Sequence, residues 1–337
     1  MIGVQKEISL KPYNTFKVDV PAKLFAEITS VEELQELLSE PAFKNEKLLV
    51  IGHGANILFT KRFDGLVLKM AIEGIEVVSQ DDENVILKVG AGHDWNDFVA
   101  YAVKNNWCGI ENMAAIPSSV GGAVVGNAGA YGVETKDCLD SVEVFDLSEL
   151  KAKSLQKEVC GFEYRNSKFK GEFRGKYIVL SATFVLKKNP KVSVGDARYQ
   201  SIKTELEKLE KDKLTIRSVF DTITRMRTEK LPNIEKVGSA GSVFANPIVE
   251  QKKLDELLAK YPDMPHFENK LVVGWMLEKL GWKDKKIGNV STMPNHANIV
   301  FTDGTATGKE IVSFFKTMQK EFKSAYGITL EPEVLIV

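Results

Sequence analysis

Residues 116–132, IPSSVGGAVVGNAGAYG, carry no charged side chain and set five glycines among Ser, Ala, Val and Asn. Glycine at that density strips the chain to its backbone, so a partner can approach it closely. The partner is either a second backbone or a ligand: a flat ring or a pyrophosphate suits such a surface, with N–H groups along the path and Asn127 adding side-chain donors. An upstream stretch has the same character. In IGHGANILFT (residues 51–60), Gly52 and Gly54 follow directly on the apolar run KLLVIG, and Asn56 comes next. Backbone N–H groups in such a turn form a concave nest for phosphate oxygens. Taken alone, a tight strand connection is the simpler reading; two such turns in one strand-rich module point to a dinucleotide more strongly than either does alone.

Outward from these turns, VEELQELL (31–38) reads as a short helix, and GLVLKM, IEVVSQ and NVILKVGAG as closely spaced strands, some with period-two alternation. HDWNDFVAYAVKNN is a helix: Trp95, Phe98, Val99, Ala102 and Val103 fall on one stripe. The strands DSVEVFDL and KYIVLSATFVLKK follow the glycine-rich stretch. After about residue 190 the texture changes to the charged, helix-forming run SIKTELEKLEKDKLTIRSVFDTITRMRTEK. A late helix, GKEIVSFFKTMQKEFKSAYG, places Ile311, Phe315, Met318 and Phe322 on one face with Gly327 to end it, and ITLEPEVLIV reads as a terminal strand. The expected boundary lies near Pro190, between a strand-rich part and a mixed α+β part.

Composition closes off several classes. A net charge of −1 over 337 residues removes bulk attraction to nucleic acid or anionic membrane. Cys108, Cys138 and Cys160 form no CxxC pair and leave one unpaired in any scheme, which suggests a reducing compartment. No apolar run has signal-peptide length or the ~20 residues that cross a bilayer, so a cytoplasmic location is expected. No G-x-G-x-x-G follows a strand, which excludes a Rossmann dinucleotide site. GTATGKE (304–310) has one residue too few between its glycines for a P-loop and reads as a turn plus helix start. His53, His93, His266 and His296 show no metal-ligand spacing, and no metal is expected.

Seven motifs then occur in one order: NTF (14–16), GHGANILF (52–59), the stretch at 116–132, YRNSKFK (164–170), MRTEKLP (226–232), GSAGSVFANP (238–247) and EPEV (331–334). Together they span nearly the whole chain, and the set resembles the UDP-N-acetylenolpyruvoylglucosamine reductase (UDP-N-acetylmuramate dehydrogenase) family, in its subtype with a longer middle region. The resemblance implies an α+β fold: a two-lobed FAD-binding domain of the vanillyl-alcohol-oxidase type over residues 1–190, with subdomains of about 1–70 and 71–190, and a substrate-binding domain over 191–337. It implies non-covalent FAD, NADPH as reductant, and UDP-N-acetylglucosamine enolpyruvate as substrate, in a monomer that binds neither nucleic acid nor membrane and serves peptidoglycan precursor synthesis.

In that chemistry hydride passes from flavin N5 to C3 of the enolpyruvyl group, charge develops on the adjacent carboxylate, and a proton reaches C2. The resemblance assigns Arg165 to the developing charge, Glu333 to the enolate and Ser242 to the proton. A guanidinium stays protonated and grips a carboxylate through two parallel hydrogen bonds. Cofactor contacts are expected from Gly52, His53, Gly54, Ala55, Asn56, Ile116, Pro117, Ser118, Ser119, Gly121, Gly122, Asn127 and Gly129. Arg227, Lys230 and Asn246 are candidates for the diphosphate and sugar, Glu331 competes with Glu333, and His296 reads as structural. The family often has a basic residue where Leu335 stands, and a Tyr where Val194 precedes Gly195; Tyr199 is the alternative for that closing contact. Two other readings stay open: another FAD-linked sugar or alcohol oxidoreductase on the same fold, and a non-catalytic UDP-sugar-binding descendant.

Overall fold

The computed structural model describes residues 3–188, 200–209 and 213–337. Pro190, Val194 and Tyr199 lie outside the described residues. The chain divides into two compact units, and not at residue 190. The first comprises residues 1–8, 22–53 and 64–229; the second comprises 9–21, 54–63 and 230–337. Helices Gln200–Leu206 and Ile216–Lys230 therefore build the first unit up to Glu229, although their charged texture resembles that of the C-terminal part.

Two larger sheets build the first unit. One runs Gln5–Ser9, Pro21–Ile28, Phe63–Met70, Leu48–Ile51, with Leu48–Ile51 parallel to its neighbour. The other runs Lys151–Gln156, Leu139–Asp146, Tyr177–Lys188, Asn84–Gly90, Ile75–Gln80, antiparallel throughout. In Asn84–Gly90 the alternation decides the faces: Val85, Leu87 and Val89 are buried and the residues between them are not. Helix Trp95–Lys104 buries the whole stripe expected of it, with Trp95 and Phe98 edge-on to each other against Phe184. Asp94 caps its first turn by accepting the Asp97 N–H at 2.9 Å. A smaller core joins Leu34 and Leu37 of helix Val31–Ser39 to Leu66, Leu68, Phe145 and Leu180.

The second unit sets helix Gly308–Tyr326 against the antiparallel sheet Gly238–Ser242, His296–Thr302, Val290–Met293, Lys286–Ile287. Ile311, Phe315, Met318 and Phe322 are all buried, as their period requires. The P-loop look-alike is a helix start: Thr307 is the N-cap, in a reciprocal capping box with Glu310, and Gly327 ends the helix at φ +70°. The terminal strand is shorter than expected. Only Leu335–Ile336 pairs as strand, parallel to Ile57–Leu58, with an isolated bridge from Pro332 to Phe244; Pro332 has no N–H to continue a ladder. Asn14 is structural. Its side chain donates to the carbonyls of Leu10 and Val18 and accepts the Val18 N–H, which holds Phe16 in the core.

Candidate active site

In the first unit, the two small-residue stretches meet. A Cβ built on Gly52 would lie 2.1 Å from Ser119 Oγ, so only glycine lets the strand end pass the later segment. His53 Nδ1 stands 3.5 Å from Asp94 Oδ2. Burial is the main force pulling the His53 ring below its ordinary value; Asp94 opposes it. The segment beyond Ser119 is a helix, Val120–Gly126, rather than an open path of donors. The N–H of Val120 goes to His93 O (2.9 Å), that of Gly121 to Ala91 O (2.8 Å) and that of Gly122 to Ser119 Oγ (3.2 Å). Gly121 is there for backbone packing: its Cβ would sit 3.0 Å from that of Ala91. A Cβ on Gly122 would lie 2.7 Å from Ser118 Oγ. Ile116 O accepts the Ser118 N–H, Pro117 is exposed, and a cavity of about 360 Å³ lies beside Ile116 and Pro117, lined also by Asp94, Asn96, Asp97 and Ala115.

These residues fit a flavin dinucleotide on the chemistry of their donors. Among the described residues, no acceptor takes the N–H of His53, Gly54 or Ala55, and Gly54 and Ala55 present no bulky side chain to keep phosphate oxygens away.

The same unit gathers cations. Arg165 occupies a turn at φ +56°, closed by N–H···O bonds in both directions between Glu163 and Asn166. Its Nη2 donates to Gly129 O at 2.7 Å. Arg227 Nε donates to Ala115 O at 3.3 Å. Burial is the main influence holding the Arg227 guanidinium below its usual value; Arg165 adds to it, and Tyr131, which hydrogen-bonds Arg227, opposes it. Two guanidiniums and a phenol therefore share one neighbourhood, suited to an anion. Tyr131 and Gly132, at φ +50° and +84°, form the two-residue turn between Gly129–Ala130 and Val133–Glu134. Sequence reasoning passed over Tyr131, although its motif GAYG is a hairpin signal. Asn127 differs from expectation. It is fully buried, and its amide donates to Glu134 Oε2 (3.0 Å) and Glu163 O (2.8 Å) while its oxygen accepts the Lys136 N–H.

In the second unit, Ser242 and Glu333 lie on adjoining segments. The Glu333 N–H donates to Val243 O at 2.8 Å, and Ala245 N–H to Glu331 O at 3.1 Å. Gly241, at φ +74°, sits in a register break between Ser239 and Ser242, and such an irregularity re-aims the following side chain. Ser242 is half-buried, and among the described residues nothing hydrogen-bonds its hydroxyl. Glu333 is half-buried and Glu331 exposed, which favours Glu333 for work in a partly dry site. Asn56 Nδ2 donates to Glu333 O at 2.9 Å, and Ala55 O accepts from Thr15 Oγ1. Gly54, at φ +64°, has Tyr13 O 2.0 Å from the place a Cβ would take.

Lys230 is exposed, and its carbonyl accepts from Asn295 Nδ2. Burial first, then the Lys230 charge, push His296 down to about 4. His296 Nδ1 accepts the Asn298 N–H, and Gly274 leaves room for the ring. Asn246 Oδ1 accepts the Val273 N–H at 3.0 Å, which leaves its NH₂ group for a ligand. Leu335 is exposed on the strand pair with Ile57.

An FAD-binding module joined to a second α+β unit that presents a hydroxyl and a carboxylate defines a class of flavoprotein oxidoreductases. Residues 22–149 match the family of FAD binding domains, and residues 232–337 match the UDP-N-acetylenolpyruvoylglucosamine reductase C-terminal domain. The chain is 36% identical over 340 residues to the UDP-N-acetylenolpyruvoylglucosamine reductase of Flavobacterium johnsoniae, covering 99% of each. It is 37% identical over 336 residues to that of Bacteroides fragilis, covering 98% of this chain and 99% of the relative. The crystal structure of the Thermus caldophilus reductase superposes with a TM-score of 0.70 at 23% identity, over 100% of this chain and 99% of that one, and shows the same fold. The chain belongs to the UDP-N-acetylenolpyruvoylglucosamine reductase family.

Proposed function

We propose that this chain reduces UDP-N-acetylglucosamine enolpyruvate to UDP-N-acetylmuramate, with FAD as its non-covalent cofactor and NADPH as reductant, as a cytoplasmic monomer in peptidoglycan precursor synthesis. The observation that carries this reading is a Ser242 hydroxyl that has no hydrogen-bond partner among the described residues, one residue from the hydrogen bond that fixes Glu333, in a chain related over its full length to reductases of that name. No helix among the described residues is long and apolar enough to cross a membrane.

The small-residue turn at Gly52–Asn56 and residues 116–119, Gly121, Gly122 and Gly129 would hold FAD, which when bound supplies the two-electron relay from NADPH to the substrate double bond. Asn127 supports that segment from behind. Arg165 balances the charge that grows on the enolpyruvyl carboxylate. Arg227 and Lys230 take up phosphate charge, and the Asn246 amide donates to the sugar diphosphate. Glu333 donates to the enolate oxygen from its protonated carboxyl group. Ser242 delivers the proton to C2, which completes addition of hydride and proton across one C=C bond. A hydroxyl is a weak acid, but a carbanion-like carbon is a strong base, and the donor need only be well placed.

Removing one positioned donor costs about 3 kcal/mol, on the order of a hundredfold or more in rate. Ser242→Ala is therefore expected to accept electrons from NADPH at the wild-type rate and to pass them to the enolpyruvyl substrate at least a hundredfold more slowly, as stopped-flow flavin absorbance reports. Equal loss in both half-reactions refutes the role of Ser242. Under anaerobic conditions, NADPH oxidation that continues beyond one equivalent per flavin without the enolpyruvyl sugar nucleotide refutes the substrate.

A further inference from the structure

We propose that Asn127 is a positioning residue for Arg165: it ties the glycine-rich segment to the turn that carries the guanidinium, and Lys170 completes the tie. This rests on the reading that Arg165 acts on the substrate.

An L-residue at φ +56° is held there by its surroundings, because the left-handed region is unfavourable for a side chain as large as arginine. Three hydrogen bonds hold the Arg165 turn from outside. Asn127 Nδ2 donates to Glu163 O at 2.8 Å, at the start of the turn. Lys170 Nζ donates to the carbonyl of Arg165 itself at 2.8 Å. Ser167 Oγ donates to Val125 O at 2.7 Å, just beyond the turn. Two of the three anchors, Val125 and Asn127, sit at the end of helix Val120–Gly126. The guanidinium returns to the same place, since its Nη2 donates to Gly129 O at 2.7 Å. Both the backbone and the tip of Arg165 are thus referenced to the segment on which the cofactor reading rests.

Asn127 is suited to this task. It closes the helix in the left-handed conformation, at φ 41° and ψ 56°, which asparagine tolerates better than most residues. Its two amide hydrogens go to Glu134 Oε2 and Glu163 O, and its oxygen takes the Lys136 N–H. With no exposed surface, it has no donor left for a ligand. Its effect on the reaction therefore runs through the Arg165 turn.

Asn127→Gly tests this, because glycine keeps the left-handed cap and removes only the side-chain ties. A misplacement of roughly 1 Å costs on the order of a hundredfold in rate. The expected result is a kcat about 10- to 100-fold lower, with FAD content and flavin spectrum unchanged and KM for the enolpyruvyl sugar nucleotide within about threefold of wild type. A second readout is independent of turnover: trypsin cleavage after Arg165 in the holoenzyme accelerates once the turn is released. Lys170→Met, which leaves the glycine-rich segment intact, shows the same pair of effects, and Lys170→Arg restores both; this pair decides the matter if Asn127→Gly does not fold. Loss of FAD from Asn127→Gly overturns the proposal, as does a kcat within twofold of wild type with unchanged cleavage. Arg165→Met is the control. If it turns over normally, the assigned role of Arg165 fails, while the cleavage result still decides whether Asn127 holds the turn.

Discussion

Gly52 and Ser119 make a measurable pair. A Cβ at residue 52 meets Ser119 Oγ at 2.1 Å and Ser119 Cβ at 3.1 Å. Carbon and oxygen cannot approach to 2.1 Å, so in Gly52→Ala the hydroxyl must turn away. That hydroxyl is the N-cap of helix Val120–Gly126, and losing such a cap costs about 1 kcal/mol. Ser119 is buried, so the displaced oxygen has little space, and overpacking adds about 1–3 kcal/mol. Gly52→Ala should therefore lose about 2–4 kcal/mol, or roughly 4–16 °C in Tm for a unit of this size. Ser119→Ala alone should lose only the cap, about 1 kcal/mol. Combining the two removes the clashing atom and leaves the 3.1 Å approach, which the chain relieves by shifting a few tenths of an ångström. The double variant should thus be close to Ser119→Ala and more stable than Gly52→Ala, with a coupling of about 2–4 kcal/mol. Thermal unfolding of the three proteins by circular dichroism measures it, with flavin fluorescence reporting cofactor release in the same scan. Additive losses, within about 0.5 kcal/mol, would show that the two stretches do not meet as described.

Gly54→Ala should destabilise the second unit by more than about 2 kcal/mol, because its Cβ would strike backbone at Tyr13 O and its φ of +64° is strained for alanine; a variant with wild-type urea midpoint contradicts this. His296 should make stability depend on pH. Its folded value near 4 lies below the ordinary 6.5, so the unfolded chain takes up the proton first. The neutral ring's contribution is complete above pH 6.5 and is lost as pH falls from 6.5 towards 4, by at most about 3 kcal/mol. His296→Gln should flatten that window, and an equally steep curve in the variant would assign the slope to other groups.

The elements legible in the sequence are those whose signal is local. Helix Trp95–Lys104 and helix Gly308–Tyr326 each bury a stripe that a 3.6-residue period reveals, and the box from Thr307 to Glu310 marks where the second begins. The ordered motifs singled out Arg165, Ser242 and Glu333, and the last two lie on adjoining segments of the second unit. What escaped depends on distant pairing. The second unit takes residues 9–21 and 54–63 from the N-terminal part, because Phe16 and Leu58 complete its core and Ile57–Leu58 pairs with Leu335–Ile336. No texture change near residue 190 reports that. Glycine content misleads in Val120–Gly126: besides the adjacent Ser119 cap, its N–H groups find Ala91 and His93, partners that no local window of sequence contains.

Much of the unusual backbone of the first unit lies near Arg165 and Arg227, although Glu7, Asn106 and Leu150 also take positive φ. Ala115, Asn127, Tyr131 and Arg165 all have positive φ without being glycine. Each belongs to the Arg165–Arg227 neighbourhood: Ala115 accepts from Arg227, Tyr131 hydrogen-bonds it, and Asn127 holds the Arg165 turn. Three of them also have a side-chain partner on their backbone that fixes its conformation. Asn96 Oδ1 accepts the Ala115 N–H at 2.7 Å, Asn112 donates to Tyr131 O, and Lys170 donates to Arg165 O. Strain of order 1–3 kcal/mol per residue persists only where neighbours over-determine it. A site built this way holds its guanidiniums in place before any anion arrives, so little reorganisation remains when charge develops on a carboxylate. The cost falls on folding stability, and the Asn and Lys side chains that offset it lie one step behind Arg165 and Arg227, the arginines proposed to meet the substrate. That is why substitutions at Asn96, Asn112, Asn127 and Lys170 should register in kcat before they register in substrate affinity.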